Sequence, residues 1–281
     1  MTTTLETKKQ TTTRPRVIAV TSGKGGVGKT SMAVNLAVAL RMFGSDVLLV
    51  DADMGLGNVD VLLGLSVECD VREVLLNGRP IEQVVVGGPR GLKILPGASG
   101  VQELAELDRD QVGAFIDDLR EYCAEFDYVV FDTSPGISNG VLDCLMAAQE
   151  ILLVTNPEPA AITDAYALLK VLGNRNGARE RTVSVVMNRT DSREEALRAY
   201  DRLRAVSQLF LEWDIEYMGS VSGDDAVRAA GRRQVDFVTA YSASPASRDV
   251  RKIAARLASS GQGAEADAGG FFKALAEADH G

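Results

Sequence analysis

At 281 residues, with 46% apolar and 25% charged positions, the chain is long enough to bury a full core and has the composition of a globular protein. A net charge of −9 and a sequence pI near 4.8 disfavour a dedicated nucleic-acid binder, which needs a cationic surface against phosphate. Cys69, Cys123 and Cys144 form no C-x-x-C pair and the single histidine is His280, which argues against zinc ribbons, cluster scaffolds, dithiol redox sites and histidine-based catalysis. The cysteines are expected as three buried reduced thiols, and any catalysis falls to carboxylates, lysines, backbone amides and Mg²⁺.

Residues 1–15, Thr- and Lys-rich up to Arg14-Pro15, predict a disordered lead-in to a body spanning 16–258. Strand-like apolar runs follow at 17–21, 47–51, 92–95, 128–132, 151–155, 182–187 and 215–221. Helical-length segments lie between them at 31–43, 108–124, 139–149 and 160–173. This alternation predicts an α/β fold: a single doubly wound, mostly parallel sheet with helices on both faces. Val47-Leu48-Leu49-Val50 and Tyr128-Val129-Val130-Phe131 are continuous apolar runs, as expected of strands buried on both sides.

Arginines recur along three later helical segments: Arg193, Arg198, Arg202 and Arg204, then Arg228, Arg232 and Arg233, then Arg248, Arg251 and Arg256 with Lys252. Intervening acids make these solvated faces. Residues 259–270 read as a flexible small-residue linker, and 271–281 as a short amphipathic tail in which Phe271, Phe272 and Leu275 form an apolar patch. No run of eighteen apolar residues and no apolar leader is present, which predicts a cytoplasmic protein.

Residues 23–30, Gly-Lys-Gly-Gly-Val-Gly-Lys-Thr, match the phosphate-cradling pattern G-x-x-x-x-G-K-[ST] between a strand-like and a helix-like segment. Gly23, Gly25, Gly26 and Gly28, with Val27 between them, are expected to turn successive N–H groups around an anion at a helix amino end. Lys29 is placed for the β- and γ-phosphates, Thr30 for a Mg²⁺ and Ser31 for the α-phosphate.

Hydrolysis also needs a group beside the metal and one to orient water. Asp132 closes an apolar run, which sets its carboxylate beside the Mg²⁺, directly or through water. Asp53, just past the 47–51 strand, is assigned to orienting the attacking water. Gly136, in Thr133-Ser134-Pro135-Gly136, is read as a γ-phosphate sensor through its N–H. Asp51 is read either as a strand-end capping acid or as a metal neighbour. An ordinary aspartate near ~3.9 is a weak proton acceptor, so turnover is expected to be slow.

Lys24 within the loop, Asp51-Ala52-Asp53 and Phe131-Asp132-Thr133 together resemble the deviant-Walker P-loop ATPases of the MinD/ParA family. Residues 51–65, 147–150 and 157–168 are similar to its FlhG (FleN) branch, the MinD-like regulators of flagellar number and placement.

The resemblance implies an ATP/ADP- and Mg²⁺-binding ATPase that forms a homodimer when ATP-bound. In that dimer Lys24 reaches across to the partner's phosphates. Asn188 would recognise adenine, residues 219–225 would close over the base with Ser222 where a proline is usual, and Asn58 and Glu158 would lie near the dimer face. It also implies the SRP-type GTPase FlhF or flagellar basal-body and regulatory proteins as partners, although Met1 to Gln10 lacks the Asp-Gln-Ala segment that activates FlhF. A further implication is weak peripheral association with the inner membrane face through the C-terminal tail. MinD-type division-site and ParA-type partition roles are the alternatives. A metallocluster carrier lacks its paired cysteines, and a P-loop tyrosine kinase lacks a tyrosine-rich tail.

Overall fold

The computed structural model describes residues 15–53, 57–97 and 109–260, so the expectations for the lead-in before residue 15 and for the tail lie outside the described residues. In chain order the elements are β1 (Arg16–Thr21), α1 (Lys29–Met42), β2 (Val47–Ala52), α2 (Val59–Leu63), α3 (Val71–Asn77), α4 (Ile81–Val84), β3 (Val86–Gly87), β4 (Lys93–Leu95), α5 (Arg109–Cys123), β5 (Tyr128–Thr133), α6 (Asn139–Ala147), β6 (Glu150–Thr155), α7 (Pro159–Leu172), β7 (Thr182–Thr190), α8 (Arg193–Leu211), β8 (Glu216–Ser222), α9 (Asp225–Arg233), α10 (Phe237–Ala240) and α11 (Pro245–Ser259).

Eight strands form one sheet in the order β3-β4-β2-β5-β1-β6-β7-β8, parallel throughout except for the antiparallel β3–β4 pair at one edge. The seven expected strands are present within two or three residues of their expected ends. Strand β3 is too short to carry a periodic signal. Chain order reverses direction about β1, which lies between β5 and β6. The carboxyl ends of β1, β5 and β2 therefore open onto the crevice where open α/β sheets bind ligands.

Alternate strand residues enter two separate cores. Val17, Ala19, Val129 and Phe131 pack against α3, α5, α6, α7 and α8, whereas Ile18, Val20, Leu49 and Val130 pack against α1, α10 and α11. Both faces are covered, which is why the strands are apolar without alternation. Helix α1 is buried along residues 32–40, and its one buried polar side chain in that stretch has a structural role. Asn35, 1% exposed, accepts N–H bonds from Phe237 and Val238 at 2.8 and 3.1 Å and donates to Ser31 O at 2.8 Å. It thereby caps α10 from inside α1.

At the opposite end of the sheet Arg16 pairs with the buried Glu150 and donates to Leu257 O, tying β1 to β6 and α11. Cys123 and Cys144 are buried free thiols, and burial pushes the Cys144 thiol up to about 12. Cys69 departs from the expectation: it is only partly buried, and Arg79 Nη1 donates to its Sγ at 2.6 Å.

Candidate nucleotide site

The glycine-rich loop leaves the carboxyl end of β1 and feeds α1. Gly28, at φ +97°, is the N-cap of α1, and no side chain caps the helix. The first N–H groups of a 14-residue helix thus face the cleft with the positive end of its dipole, and its first turn carries no acid.

The four loop glycines divide by physical role. Gly26 (φ +81°) and Gly28 adopt the left-handed backbone that the sequence predicts for them. Gly23 instead serves close packing: a Cβ there would lie 2.3 Å from Asp164 C and O and 2.7 Å from Ala165 N, in the backbone of α7. Gly25 has neither constraint, since nothing lies within 4 Å of a Cβ and its φ is not left-handed. The expectation that all four supply forbidden backbone angles is corrected for Gly23 and Gly25.

Lys29 Nζ lies 2.7 Å from Asp132 Oδ1 and 3.3 Å from Thr30 Oγ1. Lys29 is 7% and Asp132 1% exposed, so the pair is desolvated. Burial pushes the Asp132 carboxyl above its ordinary value, and Lys29 and Thr30 pull it back only in part. Asp132 Oδ2 is buried without a hydrogen-bond partner. Asp53, half-buried, accepts the Ser134 hydroxyl on Oδ1 at 2.7 Å. Lys29, Thr30, Asp132, Asp53 and Ser134 thus gather at adjacent strand ends.

A cleft of about 510 Å³ opens beside them, lined by Lys29 and Thr30 but not by Asp132, Asp53 or Ser134. Of the expected residues, Gly25, Gly26, Gly28, Lys29, Thr30 and Ser31 line it, together with Asn58, which was assigned to the dimer face. Val61, Leu62, Arg189, Gly231 and Gln234 line it as well, and sequence reasoning assigned them nothing. Arg189 had one sequence signal, its place two residues past the end of the strand predicted at 182–187. Its φ of +56° belongs to the fold alone. Gln234, at φ +53°, bridges two walls by donating from Nε2 to Val61 O at 2.8 Å.

Besides Gly23, Asp53 and Asp132, four further expected residues do not line the cleft. Asn188 is behind the loop: Nδ2 donates to Val27 O at 2.8 Å and Oδ1 accepts the Arg189 N–H at 2.9 Å. A contact from its amide to adenine would require these bonds to be exchanged. Gly136 has a left-handed φ of +99°, and its N–H donates to Ser22 O at 2.9 Å, so a contact from it to a phosphate would require that bond to be exchanged. Lys24 turns onto its own chain, with Nζ 3.5 Å from Glu158 Oε2 at the N-cap of α7. Val27, 2% exposed, pins the loop into the α1 core.

Among the described residues no three His, Cys, Asp or Glu side chains converge as a metal cluster, and no helix is long and apolar enough to cross a membrane. A metal here would have few protein ligands, as in phosphate-bound Mg²⁺ sites, where nucleotide and water oxygens supply the remainder.

The uncapped helix end, the glycine cradle and the buried lysine–aspartate pair define a P-loop nucleotide-binding protein. An AAA domain family model matches residues 15–183. The chain is 39% identical to the antiactivator FleN of Pseudomonas aeruginosa over 86% of both chains. It is 31% identical to the flagellum site-determining protein YlxH of Helicobacter pylori over 76% of its own length and 71% of that protein. Among solved structures, MinD in the MinC:MinD cell division complex of Aquifex aeolicus superposes with a TM-score of 0.70 at 28% identity, covering 89% of this chain and 98% of that one. The chain belongs to the MinD/ParA family of P-loop ATPases, with FleN-type sequences among its relatives.

Proposed function

We propose that this chain is an ATP-dependent dimerisation switch that hydrolyses ATP slowly and regulates the number or placement of flagella. What supports the proposal is that an uncapped α1 with Lys29, Thr30 and Asp132 around it stands in a chain similar along most of its length to FleN and YlxH. A MinD-type or ParA-type positioning role is the second reading, favoured by the likeness to MinD of Aquifex aeolicus.

In this proposal the loop amides and Lys29 hold the phosphates. The Thr30 hydroxyl and, through water, Asp132 hold Mg²⁺, and the unpartnered Asp132 Oδ2 suits such a water. When bound, the cation supplies charge neutralisation at the phosphate oxygens. Asp53, held by Ser134, orients water, and no histidine lies among the described residues as a stronger base.

Lys24 leaves Glu158 and reaches the phosphates of a second subunit, so that dimerisation completes each site. The Lys24–Glu158 pair is partly solvated and its loss costs at most about 1 kcal/mol, which a phosphate contact readily offsets. FlhF, flagellar basal-body or regulatory proteins, and a weakly bound membrane surface complete the proposed partners.

Light scattering on a sizing column with ATP tests the switch. Asp53→Ala is expected to remain an ATP-bound dimer without hydrolysis. Lys24→Ala is expected to bind ATP within about threefold of wild type yet stay monomeric. A monomeric D53A or a dimeric K24A with ATP overturns the proposal. Normal flagellar counts in cells lacking the protein would remove the flagellar assignment.

A further inference from the structure

Asp51 is buried, 4% exposed, and lines no part of the cleft, yet its carboxylate gathers three backbone N–H groups. Oδ1 accepts from Asp53 at 3.1 Å, and Oδ2 accepts from Asn58 at 3.0 Å and Val59 at 3.2 Å. One side chain therefore holds both the residue that follows β2 and the amino end of α2. In the sheet Asp51 is the register partner of Asp132, so this anchor is built on the same rigid platform as the phosphate loop.

Two glycines close around it. A Cβ at Gly57 would lie 3.1 Å from Asp51 Oδ2, and one at Gly97 would lie 2.7 Å from Asp51 O and 3.1 Å from its Cγ. What the anchor holds reaches the cleft: Asn58, Val61 and Leu62 line it, and Asp53 takes the hydroxyl of Ser134, the neighbour of the cleft-lining Pro135.

We infer that Asp51 is a positioning residue, which fixes Asp53 and the amino end of α2 against the phosphate loop and thereby sets the hydrolysis rate without touching nucleotide or metal. Converging donors at both oxygens require an acceptor at both, which a carboxylate supplies and an amide of the same shape does not. The rate effect rests on the role proposed above for Asp53, whereas the anchoring does not.

Asp51→Asn tests it, because its NH₂ group would face N–H donors without filling or emptying space. In nucleotide-free protein, exchange of the Asp53, Asn58 and Val59 amides is expected to accelerate by about tenfold or more. In the loaded enzyme kcat is expected to fall by about tenfold or more, with KM for ATP and half-saturating Mg²⁺ within about threefold of wild type. Unchanged exchange of those amides, or a kcat within about twofold of wild type, overturns the inference. So does a slow D51N restored by excess Mg²⁺, which would make Asp51 a metal ligand.

Gly57→Ala keeps the carboxylate and only crowds Oδ2, so it carries the test if D51N does not fold. The same pattern is expected at about three- to tenfold, and wild-type exchange with wild-type kcat overturns the inference. Absence of any ATP hydrolysis by wild type would refute the proposed function instead, leaving the exchange measurement to decide the anchor.

Discussion

Gly23→Ala is the sharpest test of how the phosphate loop is held. The added methyl carbon would sit 2.3 Å from Asp164 C and O, against 3.4 Å where ordinary contact begins, so loop or helix must move by about 1 Å. Neither retreats easily. Helix α7 is buried through Ala165, Leu168, Leu169 and Leu172, and the carbonyl of Ala161 accepts the Thr155 hydroxyl at 3.0 Å. On the other side the loop is pinned by buried Val27, whose carbonyl is held by Asn188.

Overpacking against backbone costs about 3 kcal/mol at the upper end of the usual range. At about 2–4 °C per kcal/mol for a domain of this size, the melting temperature should fall by roughly 6–12 °C. Gly25→Ala is the matched control, meeting nothing within 4 Å, and is expected to stay within about 0.5 kcal/mol, or roughly 2 °C. Scanning calorimetry without nucleotide separates the two. A Gly23→Ala melting point within about 2 °C of wild type, or a larger loss in Gly25→Ala, would refute the packing assignment.

Asn35→Leu strips the two N–H groups that start α10 of their acceptor and is expected to cost about 2–4 kcal/mol in urea unfolding, whereas a loss below about 1 kcal/mol would mean that water replaces the amide. A second measurement concerns pH. Burial, with the Asp132 charge adding to it, raises the Asp51 carboxyl from 3.8 to about 6 in the folded protein. Between those values the folded state holds a proton that the unfolded chain has released, so this group's contribution to stability is greatest below about 4 and falls as pH rises through about 6. Wild type should therefore lose up to about 3 kcal/mol relative to D51N, which does not titrate, between pH 4 and 7.5. A stability difference that is constant across that range would contradict it.

Much of the site was legible because its signals are local. A β-branched run, a glycine-rich octet and a helix-length apolar stretch are contiguous in residues 17–43, and an apolar strand ending on Asp132 is equally self-contained. The seven strands follow from the same logic, since burial on both faces forces uninterrupted apolar runs. The short α2, α3 and α4 and the two-residue β3 were not legible, because four to seven residues span too few periods to separate helix from loop.

By itself the sequence determined the P-loop, the parallel sheet and most of the loop residues that line the cleft, because each depends on neighbours within one element or one turn. Tertiary structure decided which of those groups meet. Lys29 finds Asp132 across 103 positions, Asn188 holds Val27 across 161, and Lys24 pairs with Glu158 across 134. It also decided that Gly23 is small for the sake of α7 and that Asp51 anchors a loop. Those roles arise from side chains and backbones that only the closed sheet brings within a few ångströms, and no local pattern encodes that proximity.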